Sequence, residues 1–266
     1  MFFGKTRFKK LAKTLEDIRI KKAALTFTLF LSSAIAFSQH QHRPPNFAID
    51  SLLQANAADN DEAVKFGSLI IQDQGGLIKP ANTFASELVR KVSKSDHYKS
   101  LDANQVLLSI TQNPIIWYQV PFVYLKRGND SIRSLVGVDK KSKYASFANF
   151  FDTQGNYKLA PYLEAAYKSA TPNQFEKDFI QTDRKVNLLF SALEGKVLRI
   201  FPVPNDENNL WVSPAEVNEI SFEGVDSLYV NNVLPLYLTS LRQGQATHDY
   251  TQADQLLESF TGTQKK

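Results

Sequence analysis

His40 and His42, one residue apart, are the first candidates for chemistry in this 266-residue chain. In an extended segment that spacing turns both imidazoles to one side, where they could hold a metal or meet a haem iron axially. A solvated polar tail is the competing reading, and the lack of further nearby ligands favours it. His97 follows Asp96 and His248 precedes Asp249, both in polar loops where surface histidines are expected. Asp59, Asp61 and Glu62 offer either a cation site or the acidic first turn of a helix. Asp73, Gly75, Gly76, Lys79, Pro80 and Thr83 form a compact motif of unassigned role. Its Gly-Gly pair lacks the partners of a phosphate loop (no G-x-G-x-x-G, no G-K-[ST]), and a hairpin turn is the expected reading. No G-x-S-x-G or H-E-x-x-H occurs, so no catalytic residues are assigned, and no metal site.

The chain has no cysteine, which excludes disulfides, thiol nucleophiles, Cys-ligated zinc and covalent haem attachment. A hydrophobic share of 43% and a charged share of 22% place it among foldable chains rather than disordered ones. The formal charge is +4, with 31 basic and 27 acidic residues. Residues 1–38 hold eight of the basic residues and two of the acidic ones, a net +6. The remainder, with 23 basic and 25 acidic residues, carries −2. Basic character thus belongs to the leader, and no nucleic-acid partner is expected.

The elements that must position these groups begin with residues 1–22, a basic cytoplasmic leader. Phe8, Leu11, Leu15 and Ile18 recur there at helical spacing among lysines, as in a helix lying on an anionic membrane face. Residues 23–38 form a hydrophobic segment whose 15-residue core, Ala23 to Phe37, is shorter than the ~20 residues of a full span. It is either a cleaved signal, with small residues at Ala36 and Ser38, or a short retained anchor. The charge pattern keeps the leader inside and sends the rest across, giving an inner-membrane-associated protein whose main domain is periplasmic. Residues 39–60 then read as a polar tether with a short helix near 49–57.

Residues 61–266 are expected to form a mainly helical exported domain. The fold class is mostly α with a few short β strands and hairpins (α+β). Strands are expected at 66–72, returning through 77–79, at 120–126 and at 196–203, with a further segment near 132–138. Asn82 or Thr83 should cap a helix over 83–93 that faces inward through Phe84, Leu88 and Val92. Asp102 and Gln105 have capping-box spacing for a helix ending before Asn113-Pro114. A short aromatic helix is expected over 144–151, with others at 160–168 and 213 onward. The longest, near 173–194, carries the stripe Phe175, Phe179, Thr182, Val186, Leu189 and Leu193. Helices near 226–243, kinked or begun late at Pro235, and 249–260 close the chain. Trp117, Tyr118, Phe122 and Tyr124 read by default as core. Asp-Ser-apolar triplets at Asp50, Asp130 and Asp226 resemble an O-glycosylation sequon of some periplasmic proteins.

The run Phe66-Gly-Ser-Leu-Ile-Ile-Gln-Asp-Gln-Gly-Gly76, continued by Lys79-Pro80 and Asn82-Thr83-Phe84-Ala85, resembles a known family. So do Tyr124-Leu-Lys-Arg-Gly128, Asn156-Tyr-Lys-Leu159, Pro172-Asn-Gln-Phe175, Val186-Asn-Leu-Leu189, Phe201-Pro202 and Leu234-Pro-Leu-Tyr237. The family is the System II cytochrome c biogenesis proteins of ResB/CcsA (CcsB–CcsA fusion) type, and the resemblance is to their exported loop between two membrane halves. It implies a place in the machinery that exports haem and ligates it to apocytochrome c. Implied partners are a CcsA-type haem-handling membrane protein, a ResB-type half, apocytochrome c and the membrane; haem is the implied cofactor. The chain departs from the family in having only Trp117 and Trp211, well apart, in place of a Trp-rich haem segment. Leu77 stands where the family usually has Arg, and none of the four histidines matches a family haem ligand. Met1 is therefore expected to open a piece between the two halves. That piece would position apocytochrome or brace the haem-handling halves without bond chemistry of its own, the complete family protein being the cytochrome c synthase. The alternative is a membrane-tethered periplasmic scaffold or binding domain without a haem role.

Overall fold

A computed structural model describes residues 46–264, apart from 221 and 223. The expected leader helix, the apolar run 23–37 and the His40/His42 pair lie outside the described residues. The chain divides after Arg43, and the elements that follow belong to the unit beginning at Pro44. They are α1 (Asn46–Ala55), α2 (Asn60–Gly67), β1 (Ile70–Gln72), β2 (Ile78–Pro80), α3 (Ala81–Ser93), α4 (Ala103–Gln112), α5 (Pro114–Trp117), β3 (Pro121–Tyr124), α6 (Asp130–Val136) and β4 (Tyr144–Ser146). A 3-10 turn (Phe147–Phe150), α7 (Ala160–Lys168), α8 (Gln174–Leu193), β5 (Phe201–Pro202), β6 (Trp211–Val212), a second 3-10 turn (Val217–Glu219), α9 (Gly224–Thr247) and α10 (Thr251–Gln264) complete the order. The fold is mostly helical with three antiparallel two-stranded pairs, β1–β2, β3–β4 and β5–β6, as the sequence predicts. Among the described residues no helix is long and apolar enough to cross a membrane.

The centre is α3, whose Ala81, Ala85, Leu88, Val89 and Val92 are fully buried. It packs against α2, α4, α8 and β3. The Asp102 carboxylate accepts from Gln105 N–H while the Gln105 side chain accepts from Asp102 N–H, so the expected capping box starts α4. Asn173 and Glu176 do the same for α8, so each box pairs two amides at its helix start. The stripe of α8 is buried from Phe179 to Leu193, while Phe175 at its outer end is exposed. α9 and α10 pack on each other. Tyr237 stacks on Phe66 at 5.9 Å and meets Phe260 edge-on at 6.3 Å, which seats this pair on α2.

Several expectations are corrected. Phe66 and Gly67 end a helix rather than start a strand, because Glu62, Ala63, Phe66 and Gly67 reach the core at helical spacing. Gly67 is held to its size there, since a Cβ would lie 2.8 Å from Asn104 Oδ1. Neither Asn82 nor Thr83 caps α3; the helix begins at Ala81 behind Pro80, without a side-chain cap. Residues 130–136 are helical, pinned by buried Arg133, whose guanidinium donates to the carbonyls of Leu125, Lys126, Asn129 and Ser142. The strand that pairs with β3 comes instead from 144–146, with Tyr124 opposite Tyr144. The expected aromatic helix therefore begins as a strand. The strand at 196–203 shrinks to two residues, and the segment after Ser213 is a turn with a 3-10 helix. Pro235 lies inside α9, which does not begin late there. Burial of Val230, Val233, Leu234 and Tyr237 on both sides of it outweighs the ~3 kcal/mol a helix-interior proline costs.

Candidate functional site

The motif around Gly75-Gly76 is a clamped hairpin corner. Asp73 Oδ1 accepts from Gly75 N–H at 2.9 Å and Leu77 N–H at 3.0 Å, and its carbonyl accepts from Gly76 N–H at 3.0 Å. Gly76 has φ +83°, a conformation that only glycine adopts without strain. Lys79 Nζ pairs with Asp73 Oδ2 at 2.8 Å and reaches Glu87 Oε1 of α3 at 3.3 Å, while Lys91 holds Glu87 Oε2 at 3.1 Å. The Lys79 ammonium holds the Asp73 carboxyl below its ordinary range, and Asp73 in turn raises Lys79. Burial pushes Glu87 up, but its bonds to Lys91 and Lys79 outweigh that and leave it low. Pro80 turns the chain into α3, and Thr83 stands apart on the exposed first turn, its hydroxyl donating to Asn82. A phosphate would need the loop amides, and these already serve Asp73. The motif is a corner in chemistry as well as in shape.

Gln72, which no spacing in the sequence singles out, ties this corner to the following strands. Its N–H donates to Arg199 carbonyl at 3.0 Å, its Nε2 to Asn209 carbonyl at 3.0 Å, and its Oε1 accepts from Trp211 N–H at 2.8 Å. Arg199 forms a fork on Glu216 at 2.8 and 3.2 Å. A small cleft of about 150 Å³ opens between Asp73, Lys79, Glu87 and Arg199.

Asp59 precedes α2, and Asp61 and Glu62 lie in its acidic first turn. Asp59 accepts from Tyr250 OH at 2.8 Å, and Glu62 and Asp254 both pair with Lys65 at 2.7 and 2.8 Å, joining α2 to α10. Bonds from Lys65 to Asp254 and Glu62 raise its ammonium to about 12. Among the described residues no group of three or more His, Cys, Asp or Glu side chains is arranged to hold a metal. His97 pairs with its neighbour Asp96, and His248 sits in the turn between α9 and α10 with φ +59°.

Two larger clefts remain. One, about 390 Å³, lies among Asp50, His97, Tyr98, Phe122 and Tyr144. Tyr98 OH donates to Asp50 at 2.8 Å, and burial, with that carboxylate beside it, raises the phenol. The other, about 610 Å³, is walled by Tyr118, Phe147, Phe151, Tyr157 and Phe190, with Asp152 and Asn187 among its lining. Phe147 is the hub: Phe190 stacks on it at 5.7 Å, Tyr118 meets it edge-on at 5.1 Å, and Phe151 tilts against it at 5.0 Å. Tyr157 continues the wall at 5.4 Å from Phe151 and donates to buried Asp183 at 3.0 Å. Trp117 and Phe122 are wholly buried core as expected, Trp117 donating to Ser109 at 2.9 Å, whereas Tyr118 belongs to this cleft. Among the described residues, the only side chains of a haem-ligand type in the aromatic cleft are the phenols of Tyr118 and Tyr157. The aromatic cleft has no imidazole or thioether, and the Tyr98 cleft has the lone, exposed His97.

No protein-family model matches the chain. It is similar to Protein NrfI of Wolinella succinogenes, with 26% identity over 230 residues, or 85% of its own length. The chain spans a quarter of the length of that relative.

Proposed function

We propose that this chain is the exported accessory portion of a cytochrome c maturation protein. In this reading it is held at the inner membrane, its main domain in the periplasm, where it positions apocytochrome c or braces ResB-type and CcsA-type haem-handling halves. The observation that carries the reading is the similarity to NrfI over 85% of the chain, which supports a role in cytochrome c maturation generally. The resemblance of residues 66–260 to the exported loop of System II proteins supports the finer assignment. The split between a +6 leader and a −2 remainder supports export. Bond formation belongs to the rest of the machinery.

Purification of the tagged full chain from its native membranes tests this. A haem-loaded CcsA-type protein or apocytochrome c should come with it, and an empty eluate would overturn the reading in favour of a scaffold without a haem role. A haem-ligation assay that supplies haem, a reductant and an apocytochrome, with this chain as the sole other protein, should show no thioether formation. Turnover there would overturn the division of labour.

A further inference from the structure

We propose that the last turn of α10, residues 261–264, is a latch that closes the free edge of β1 and opens about Gly262. The edge follows from the register of β1. Ala81 N–H donates to the Leu69 carbonyl and Asp73 N–H to the Leu77 carbonyl, so residues 69, 71 and 73 turn toward β2. Ile70 and Gln72 face the other way, because the bonding direction alternates along a strand. Gln72 N–H finds the Arg199 carbonyl at 3.0 Å. Among the described residues no strand pairs with Ile70 on that side, and the side chain of Gln264 meets it instead. Ile70 N–H donates to Gln264 Oε1 at 3.0 Å, while Gln264 Nε2 donates to the Ile70 carbonyl at 2.8 Å and to the Ile200 carbonyl at 3.2 Å. The carboxamide thus stands in for one peptide unit of a neighbouring strand.

The joint is Gly262. Up to Phe260 the helix is anchored: Phe260 is fully buried, with Phe201 stacked on it at 6.1 Å and Tyr237 edge-on at 6.3 Å. Gln264 lies beyond that anchor, and Gly262 separates the two. Elsewhere in the helices glycine answers to space, since a Cβ would crowd Asn104 at Gly67 and the Tyr250 ring at Gly244. At Gly262 a Cβ would meet nothing within 4 Å, and its φ is not left-handed. Neither space nor conformation requires glycine there. What remains is its effect on the helix, a final turn with more backbone freedom than any other residue would leave it. A buried anchor, a loose joint and a polar contact, in that order, let this turn swing while the body of α10 stays seated. With the latch open, the Ile70 N–H and carbonyl and the Ile200 carbonyl lose the carboxamide. They then form an unpaired strand edge, the kind of surface with which an extended segment of another chain pairs.

Amide hydrogen exchange of the full chain, read residue by residue by NMR, tests the proposal. Relative to intrinsic rates, Ile70 N–H should exchange about ten-fold faster or more than Leu88 N–H in the middle of α3, because it opens locally. Gly262→Ala should tighten the latch and raise the protection of Ile70 about two- to five-fold, the ratio that glycine-to-alanine is worth in a helix. Gln264→Ala should lower that protection about five-fold or more. In the Gln264→Ala background, Gly262→Ala should leave Ile70 unchanged, since no contact is left for the turn to close. Equal protection of Ile70 and Leu88 in the unsubstituted protein would overturn the proposal, as it would mean that the turn does not open by itself. So would unchanged protection of Ile70 in Gly262→Ala, or the same gain from Gly262→Ala with and without Gln264.

Discussion

Replacing Asp73 with alanine removes two amide acceptor contacts and one ion pair at a single stroke. Net hydrogen bonds are worth about 1 kcal/mol each, so Asp73→Ala should lower stability by about 1–3 kcal/mol in urea unfolding. Asp73→Asn, which can still accept from Gly75 and Leu77, should cost less than half of that. The pair also sets a pH window. Asp73 is depressed, so its contribution is complete above the ordinary carboxylate value near 4 and fades as pH falls through the lower folded value. Lys79 is raised, so its contribution is complete below about 10.5 and fades only above that. The acid slope of unfolding should accordingly be shallower in Lys79→Met than in the parent; identical slopes would show that the clamp carries no pH-linked stability. The turn at Gly75-Gly76 was legible because its cause lies within five residues. The reach of Lys79 to Glu87 was not, since it depends on the angle at which Pro80 feeds α3.

At the scale of elements, α8 carries an unusual guest. Lys185 lies on its buried side, its ammonium donating to the Tyr124 carbonyl at 2.7 Å and standing 5.0 Å from the Tyr124 ring. Burial above all, with neighbouring Lys94 and Lys126, lowers it to about 8 against the opposing pull of Asp178. The unfolded chain, with its lysine near 10.5, then binds more protons than the folded one between about pH 8 and 10.5, so stability rises with pH across that interval. The rise should be on the order of 3 kcal/mol. It should vanish in Lys185→Met, measured as the difference between the two proteins so that tyrosine titration cancels. A second element-scale test concerns α9 and α10. A Cβ at Gly244 would overlap the Tyr250 ring, whose hydroxyl holds Asp59. Gly244→Ala should therefore lower the melting temperature, at a cost of about 1–3 kcal/mol from overpacking. Helical period showed both helices in advance. It could not show a lysine spending its stem and amine on a neighbouring strand, because periodicity counts Lys185 as polar wherever it falls.

For the whole molecule, the division after Arg43 sets the expectation. A chain beginning at Pro44 should unfold in one cooperative transition with the midpoint of the full chain. Under the proposed topology it should also leave the membrane fraction, which the full chain should not. Loss of cooperativity in the short form would place part of the core before Pro44. Recovery of the full chain in the soluble fraction would overturn the membrane attachment.

What the sequence by itself determined is local. The capping box at Asp102, the hairpin at Gly75-Gly76 and the helix over 160–168 all rest on residues within a few positions of one another, and helix and turn chemistry act over that range. The charge split at residue 38 is likewise additive along the chain. Tertiary structure alone decided which distant residues meet. Gln72 bonds to residues 199, 209 and 211, and Tyr118, residues 147–157 and Phe190 converge on one aromatic cleft. It also made 66–67 and 130–136 helical, where Phe66 meets Tyr237 of α9, Gly67 meets Asn104 of α4, and Arg133 reaches the carbonyls of Leu125, Lys126 and Ser142. Such choices depend on what lies across the core, and no window of neighbouring residues contains that information.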